Sequence, residues 1–328
     1  MNNIYKILEK KIGVDFLNYR SKWKSTEKNI CILKYPLHLN FELTFGCNLK
    51  CDMCLHSIPF RTWNYKSNPK KKIEFEHYKK IIDEGVRYGL SSVEFNGINE
   101  PLLNKDIHKY IQYAKQKGIL MTSLHTNALL LNKDMSEKII NSGLTLIIFS
   151  IDAFSKETYK KIRKNNGYEK VIKNIDILLK MKQEKRSDYP LTKVSFAENK
   201  INYTELNDFI RFWKHRVDDY SVSSFCNPFI GKQRYQEIEN KYRLKDFDLN
   251  FCYEPYQRLF IRNSGEVVPC CSFFGGEMIL GNIYENSIYK IWNNKKTKEI
   301  RLLVNKGREQ QPLACQKCRN SLKSNKLI

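Results

Sequence analysis

Cys47, Cys51 and Cys54 fall in one short run, Cys47-Asn48-Leu49-Lys50-Cys51-Asp52-Met53-Cys54. Three thiolates on one tight loop can hold three irons of a four-iron cube and leave the fourth iron open to a substrate or cofactor. Zinc wants a fourth protein ligand close by, and this run supplies none. A second set lies in the C-terminal quarter: Cys252, then Cys270 after Gly265, then the pair Cys315 and Cys318 with two residues between them. Four thiolates suit a closed four-iron cluster or a structural zinc, and spacing alone leaves both open. Cys31, Cys226 and Cys271 stand outside both sets. They are expected to be buried bystanders, although Cys226 and Cys271 sit where they could approach a site.

The elements that must position these thiols follow from periodicity. Apolar and polar residues alternate, or form short apolar runs, over 37–44, 92–96, 120–125, 144–151, 192–196 and 220–225, which predicts six strands. Helical patterns intervene over 75–88, 106–115, 133–141, 167–181 and 203–215. Six βα units in a row imply a parallel sheet with helices outside, and a partial barrel with its working loops at the carboxyl ends of the strands. The first cysteine loop follows the first strand, so it belongs to that end. A polar stretch over 231–250 breaks the rhythm. Short strands over 258–262 and 266–268 then flank a turn at Asn263-Ser264-Gly265, and a helix is expected over 287–303.

The 328-residue chain is 41% hydrophobic and 12% aromatic, enough for a sizeable core. No apolar run approaches eighteen residues, so no membrane association is expected, and the charged N-terminus lacks the apolar stretch of a signal peptide. The cytoplasm is the expected location. Ten cysteines there argue for metal or redox use over disulfides. The net charge of +22 is spread along the chain, and a diffuse positive field favours an acidic substrate such as a nucleotide-linked sugar or an acidic peptide. Nucleic acid is not expected as a partner, because aromatic residues are not interleaved with the basic ones. A non-catalytic zinc protein with a nucleic-acid-binding surface stands as the reading of another class.

The first loop resembles the signature of the radical S-adenosylmethionine (radical SAM) superfamily, in which a 4Fe-4S cluster binds SAM through its open iron. Gly97-Ile98-Asn99-Glu100-Pro101 looks like the family's Gly-Gly-Glu-Pro turn, whose backbone and acid meet the SAM ammonium. Asn99 stands where glycine is common, and asparagine tolerates left-handed geometry. Ser150-Ile151-Asp152 is similar to the Ser-Ile-Asp segment that reaches the SAM ribose or carboxylate, and the resemblance gives Arg163 the SAM carboxylate. Thr126-Asn127 looks like the family's Thr-Asn-Gly, with Ala128 for glycine. Met53 replaces a frequent aromatic. Asn199 lies where the family often has an asparagine. Simpler roles compete: Glu100 as a surface carboxylate, Ser150 and Asp152 as a helix N-cap, Asn199 as a loop residue without a ligand. His125 reads as structural, and Tyr253, Tyr256 and Trp292 as core.

The tail is similar to the auxiliary-cluster domain of radical SAM enzymes, known as SPASM in its long form and Twitch in its short one. Cys252 with Pro255, Val267-Val268-Pro269-Cys270-Cys271, Leu280-Gly281-Asn282-Ile283, Ile291-Trp292-Asn293, Cys315 and Cys318 carry that likeness. The resemblance implies an α/β fold: a partial (β/α)6 TIM-like barrel over 36–230, an N-terminal helical extension over 1–35, and a small C-terminal α+β auxiliary-cluster domain over 231–328. It implies Cys47, Cys51 and Cys54 on the SAM-binding cluster, and Cys252, Cys270, Cys315 and Cys318 on a second 4Fe-4S cluster. It implies reductive cleavage of SAM to a 5′-deoxyadenosyl radical that abstracts hydrogen, with an external donor such as flavodoxin or ferredoxin. The expected reaction is oxidation of a small polar, sugar-like molecule, with a peptide-modifying maturase as the alternative.

Overall fold

Six strands lie side by side in sequence order, each parallel to its neighbours: β1 (His38–Phe41), β2 (Ser92–Phe95), β3 (Met121–Thr126), β4 (Leu146–Ser150), β5 (Leu191–Glu198) and β6 (Asp219–Ser224). They come from a computed structural model that describes residues 3–27, 31–57, 68, 70–224 and 252–323. Cys226, the stretch 231–250 and the expected division at 230/231 lie outside the described residues.

Successive strand side chains point to opposite faces. Leu39, Phe41, Val93, Phe95, Ile147, Phe149, Val194 and Phe196 are buried in the main core, which they share with the helices. Helix α3 (Phe75–Arg87), for example, sets Tyr78 edge-on against Phe41 at 5.0 Å between ring centres. The alternate residues, among them His38, Asn40, Glu94, His125 and Ile148, therefore face the barrel lumen.

The N-terminal extension forms two helices, α1 (Asn3–Ile12) and α2 (Val14–Glu27). Their Ile4, Leu8, Phe16, Tyr19 and Trp23 join Leu37, Leu146, Ile148 and Leu191 in a second apolar cluster. Leu146 and Ile148 are lumen-facing, so the two helices close the end of the barrel opposite the cysteine loop. The Tyr19 and Ser92 hydroxyl oxygens lie 3.2 Å apart, and the Trp23 ring stands edge-on to His38 at 6.2 Å. Phe16 is fully buried in this plug. Phe16→Ala is expected to cost about 3–5 kcal/mol of unfolding free energy, read from the chemical-denaturation midpoint at unchanged slope.

The tail does not stand apart from the barrel. Strand β7 (Arg258–Ile261) pairs in parallel with the open edge of β1, with His38 opposite Arg258, and antiparallel β8 (Glu266–Val268) and β9 (Gly281–Asn282) extend the sheet to nine strands. An unpaired edge strand exposes a row of backbone donors and acceptors, and the tail covers this one. Pairing between residues more than two hundred positions apart leaves no local trace, so sequence periodicity could not announce it. The helix expected over 287–303 is two, Ile288–Asn293 and Lys295–Val304. Asn294 breaks it by taking extended geometry and capping the second piece, its Oδ1 accepting from Thr297 N at 2.8 Å. Among the described residues, no helix is long and apolar enough to cross a membrane.

Candidate active site

The loop after β1 is fastened to the ends of two other strands and to a helix. Gly46 O accepts from Glu100 N at 2.9 Å, Asp52 N donates to Ile162 O at 3.0 Å, and Asn127 Nδ2 donates to Asn48 Oδ1 at 2.7 Å. Cys54 N closes back on Cys51 O at 3.0 Å. Burial first, and then neighbouring charges that include the other thiols of the loop, push the Cys47 thiol up to about 12 and the Cys54 thiol up to about 11. Buried thiols that oppose one another's ionisation need a cation to become thiolates. Iron supplies that charge, so the donor set fits a cluster. Among the described residues, no group of three or more His, Cys, Asp or Glu converges as ligands of a single ion would. A four-iron cube presents its irons at separate corners and does not need such convergence.

Gly97 is glycine because Glu42 crosses beneath it: a Cβ there would lie 2.5 Å from Glu42 Oε2, which accepts from Ile98 N at 2.9 Å. Asn99 does not use the left-handed tolerance expected of it, since it is absent from the positive-φ residues. It bridges Gly46 and donates from Nδ2 to Thr44 O at 2.9 Å. Asn99 Oδ1 and Thr44 Oγ1 are buried without a hydrogen-bond partner. Such orphaned oxygens beside the cysteine loop fit an ammonium-bearing ligand. The left-handed residue is instead Ala128, buried at φ 61°, where the resemblance has glycine. The backbone geometry is thus kept at a strain of about 1–2 kcal/mol.

Glu100 is not a surface carboxylate. It is 2% exposed and accepts from Thr126 Oγ1 at 2.6 Å, Asn127 N at 2.8 Å and Leu102 N at 3.1 Å. Burial pushes its carboxyl above the usual range against those donors. It ties the turn after β2 to the end of β3. Arg163, on the helix Lys156–Arg163, is buried, with Nη1 3.6 Å from Cys51 Sγ and Nη2 2.5 Å from Asp152 Oδ2. Asp152 is therefore the partner of a buried guanidinium rather than a helix cap; the cap is Ser155, whose Oγ accepts from Thr158 N. Asn199 closes its own loop, with Oδ1 accepting from Ile201 N and Nδ2 donating to Ala197 O. Ser150 sits half-buried at the end of β4. The structure thus gathers Gly97, Asn99, Glu100, Asp152 and Arg163 around the cysteine loop, while among the described residues the side chains of Ser150 and Asn199 make no hydrogen bond to it.

The second thiol set also assembles. Cys315 and Cys318 are one turn apart on the helix Leu313–Lys323, and Cys252 N is held by Asn305 Oδ1 at 2.8 Å. Burial is the first cause that pushes Cys252 up to about 11, Cys315 up to about 12 and Cys270 well above the ordinary range; Glu254 and Cys318 add to it at Cys252, Cys252 and Cys318 at Cys315, and Cys271, Glu254 and Cys252 at Cys270. Gly275 lets the chain pass over Cys270, whose Sγ would lie 2.5 Å from an added Cβ. Cys271 is exposed, which corrects the bystander reading, and Tyr253 is exposed where core was expected; Tyr256 and Trp292 are buried.

A polar cluster in the lumen was missed. Glu94 lies 3.2 Å from His125 Nε2 and 3.6 Å from His38 Nε2, and accepts from Asn96 Nδ2 at 3.1 Å. His38 Nδ1 and Ser92 Oγ are 2.6 Å apart behind it. Burial, then the Arg258 charge, hold His38 down at about 3, so it is neutral. Burial opposes ionisation of Glu94, but His125 and then the Arg258 charge keep its carboxyl well below the usual range. Arg258 also meets Glu254 at 3.3 Å. Cys271 feels Glu254, Arg258 and Glu94, while β3 runs on from His125 to Asn127, which approaches Cys47 Sγ at 3.9 Å. The cluster therefore lies between the two thiol sets. His125 has 31% of its side chain open and meets the lumen through its contact with Glu94. The signal available in the sequence was a carboxylate on the polar phase of a strand, between Val93 and Phe95.

Family models match twice: the radical SAM superfamily over residues 41–193 and the SPASM iron–sulfur cluster-binding domain over residues 252–319. A probable GTP 3′,8-cyclase of Methanocaldococcus jannaschii is 32% identical over 176 residues, 53% of this chain and 54% of that protein. A tungsten-containing aldehyde ferredoxin oxidoreductase cofactor-modifying protein of Pyrococcus furiosus is 25% identical over 316 residues, 81% of this chain and 83% of that protein. The chain spans about half the length of the cyclases it matches. In structure it is similar to Streptococcus suis SuiB bound to S-adenosylmethionine, with a TM-score of 0.65 and 19% identity over 85% of this chain and 70% of that one.

Proposed function

The chain belongs to the radical SAM superfamily and carries a C-terminal SPASM-type iron–sulfur cluster-binding domain; from that premise we propose that it oxidises an alcohol of a small, sugar-like molecule held in the barrel lumen. Its cofactors are a SAM-binding 4Fe-4S cluster, S-adenosylmethionine and an auxiliary cluster. Together they supply a 5′-deoxyadenosyl radical for hydrogen abstraction and a sink for the second electron.

In this reading Cys47, Cys51 and Cys54 hold the first cluster and Cys252, Cys270, Cys315 and Cys318 the second. Glu100 fixes the turn in which Asn99 and Gly97 meet the SAM ammonium, and Asn127 and Arg163 orient the thiols. Ser150 and Asn199 bind SAM only by moving from their present places. His125, held by Glu94, takes the hydroxyl proton as the carbonyl forms. The helices α1 and α2 close the far end and keep water out.

One observation carries the choice of substrate. Among the described residues, the charges of the cluster between the two thiol sets are Glu94 and Glu254 against Arg258, with Lys193 facing the lumen from β5, a mixture unlike the +22 of the whole chain. A polyphosphate would need converging cations, as would the acidic substrate suggested by net charge. A neutral or amine-bearing polyol suits this mixture of donors and acceptors. The basic exterior suits an acidic electron carrier such as flavodoxin or ferredoxin. Nine free thiols among the described residues suit a reducing, cytoplasmic setting.

The test is anaerobic incubation of the reduced enzyme with SAM and a panel of cyclitols, aminosugars, nucleotide sugars and serine peptides, followed by mass spectrometry. A hydroxylated small molecule should lose two hydrogens, with one 5′-deoxyadenosine formed per product. Modification confined to nucleotides or peptides would overturn the substrate assignment.

A further inference from the structure

We infer that Arg163 and Asp152 form a pair of opposed charges that sets the reduction potential of the cluster on the first cysteine loop: the guanidinium raises it through Cys51, and the carboxylate holds that rise in check. The inference rests on the reading that Cys47, Cys51 and Cys54 carry that cluster.

The geometry is specific. Arg163 and Asp152 side chains are 9% and 3% exposed, and Nη2 meets Oδ2 at 2.5 Å. Nη1 reaches Cys51 Sγ at 3.6 Å, and Nε reaches Ile151 O at 3.4 Å. The three guanidinium nitrogens thus go to a thiol, a carboxylate and a carbonyl. Asp152 adopts φ 61°, a region L-residues avoid, and is over-determined there: its Oδ1 accepts from Ala197 N at 2.7 Å and its carbonyl from Asn202 Nδ2 at 2.9 Å. Strain held in this way marks functional positions more often than packing ones.

A buried ion pair is a poor source of stability, because desolvating both charges offsets their attraction. Its placement against one ligand sulfur has a clearer consequence. Reduction adds one negative charge to a cluster. A positive charge and an N–H donor at a ligand sulfur favour the more negative state, and a nearby carboxylate favours the less negative one. The resemblance gives Arg163 a different partner, the SAM carboxylate. Here every guanidinium nitrogen already has a protein partner.

The experiment is a potentiometric titration of the intact, cluster-loaded enzyme followed by electron paramagnetic resonance, using the signal that changes on adding SAM. Arg163→Gln should lower the reduced-to-oxidised ratio of that cluster at fixed potential about tenfold, about 59 mV for one electron. Asp152→Asn should raise the ratio by a similar factor. Arg163→Lys keeps the charge and should stay within about threefold of wild type. A merely structural pair would shift both variants the same way or lose iron in both, and either result overturns the inference. So does an unchanged potential in Arg163→Gln with weakened SAM binding, which would return Arg163 to the SAM carboxylate. If Arg163→Gln does not fold, Asp152→Asn decides alone: an upward shift supports the pair, and no shift or a downward one overturns it. Absence of any SAM-sensitive signal in the wild type would instead overturn the ligand reading beneath it.

Discussion

Cys51→Ala is expected to reduce 5′-deoxyadenosine formation to the level seen without enzyme. Cys51 is buried on the loop and lies 3.6 Å from the Arg163 guanidinium. With it gone, a four-iron cube keeps two of its three protein ligands on this loop and leaves a buried cation facing a methyl group. Failure to fold would not explain the loss. The loop is fastened by Gly46 O to Glu100 N, Asp52 N to Ile162 O and Asn48 Oδ1 to Asn127 Nδ2, none of which uses the thiol. The contrasting variant is Cys315→Ser with Cys318→Ser. It should remove about four irons from the total, the content of one cluster, and leave 5′-deoxyadenosine measurable. Iron analysis and liquid chromatography of the nucleoside, run on both variants, check the pair of outcomes.

His125→Gln should produce the second large effect, and on a different step. General-base removal costs about 10²–10⁴-fold in rate, and the loss is expected in oxidised product while 5′-deoxyadenosine still forms. The imidazole is paired to Glu94 at 3.2 Å, with Asn96 donating to the same oxygen and His38 behind. That is the arrangement of a base held by its orienting carboxylate. Glu94→Gln should fall in the same direction by a smaller factor, because the imidazole remains. Exogenous imidazole should restore product to His125→Gly. The check is the ratio of product to 5′-deoxyadenosine for whichever hydroxylated compound the wild type oxidises. A ratio unchanged in both variants would remove His125 from the chemistry.

The legible part of this chain was what depends on neighbours in sequence. Strand and helix periods place β1 to β6 and five of the intervening helices within a few residues of their observed bounds, but give no pattern for the helix Lys156–Arg163. The two cysteine sets are legible because tight loops and helix turns impose short spacings; Cys315 and Cys318 are one helical turn apart. Long-range pairing was not legible. Joining β7 to β1 fuses tail and barrel into one sheet, and no local pattern encodes it. The lumen cluster escaped for the same reason. Glu94, His38, His125, Arg258 and Glu254 are scattered over more than two hundred residues and meet only after the sheet curls. The resemblance named Asp152 and Arg163 but not their arrangement, because a side chain's partner depends on φ as well as type: Asp152 at φ 61° turns toward Arg163. The residue type suggested left-handed geometry at Asn99, but the left-handed residue is Ala128, where the resemblance also has glycine.

The central claim is an open-cornered iron–sulfur cube on Cys47, Cys51 and Cys54. Its most direct test is electron paramagnetic resonance of oxygen-free, dithionite-reduced enzyme before and after addition of S-adenosylmethionine. A reduced 4Fe-4S signal that changes shape on adding the sulfonium is expected in the wild type and is expected to be absent in Cys51→Ala. A spectrum indifferent to S-adenosylmethionine, or zinc in place of iron on these thiols, would contradict it.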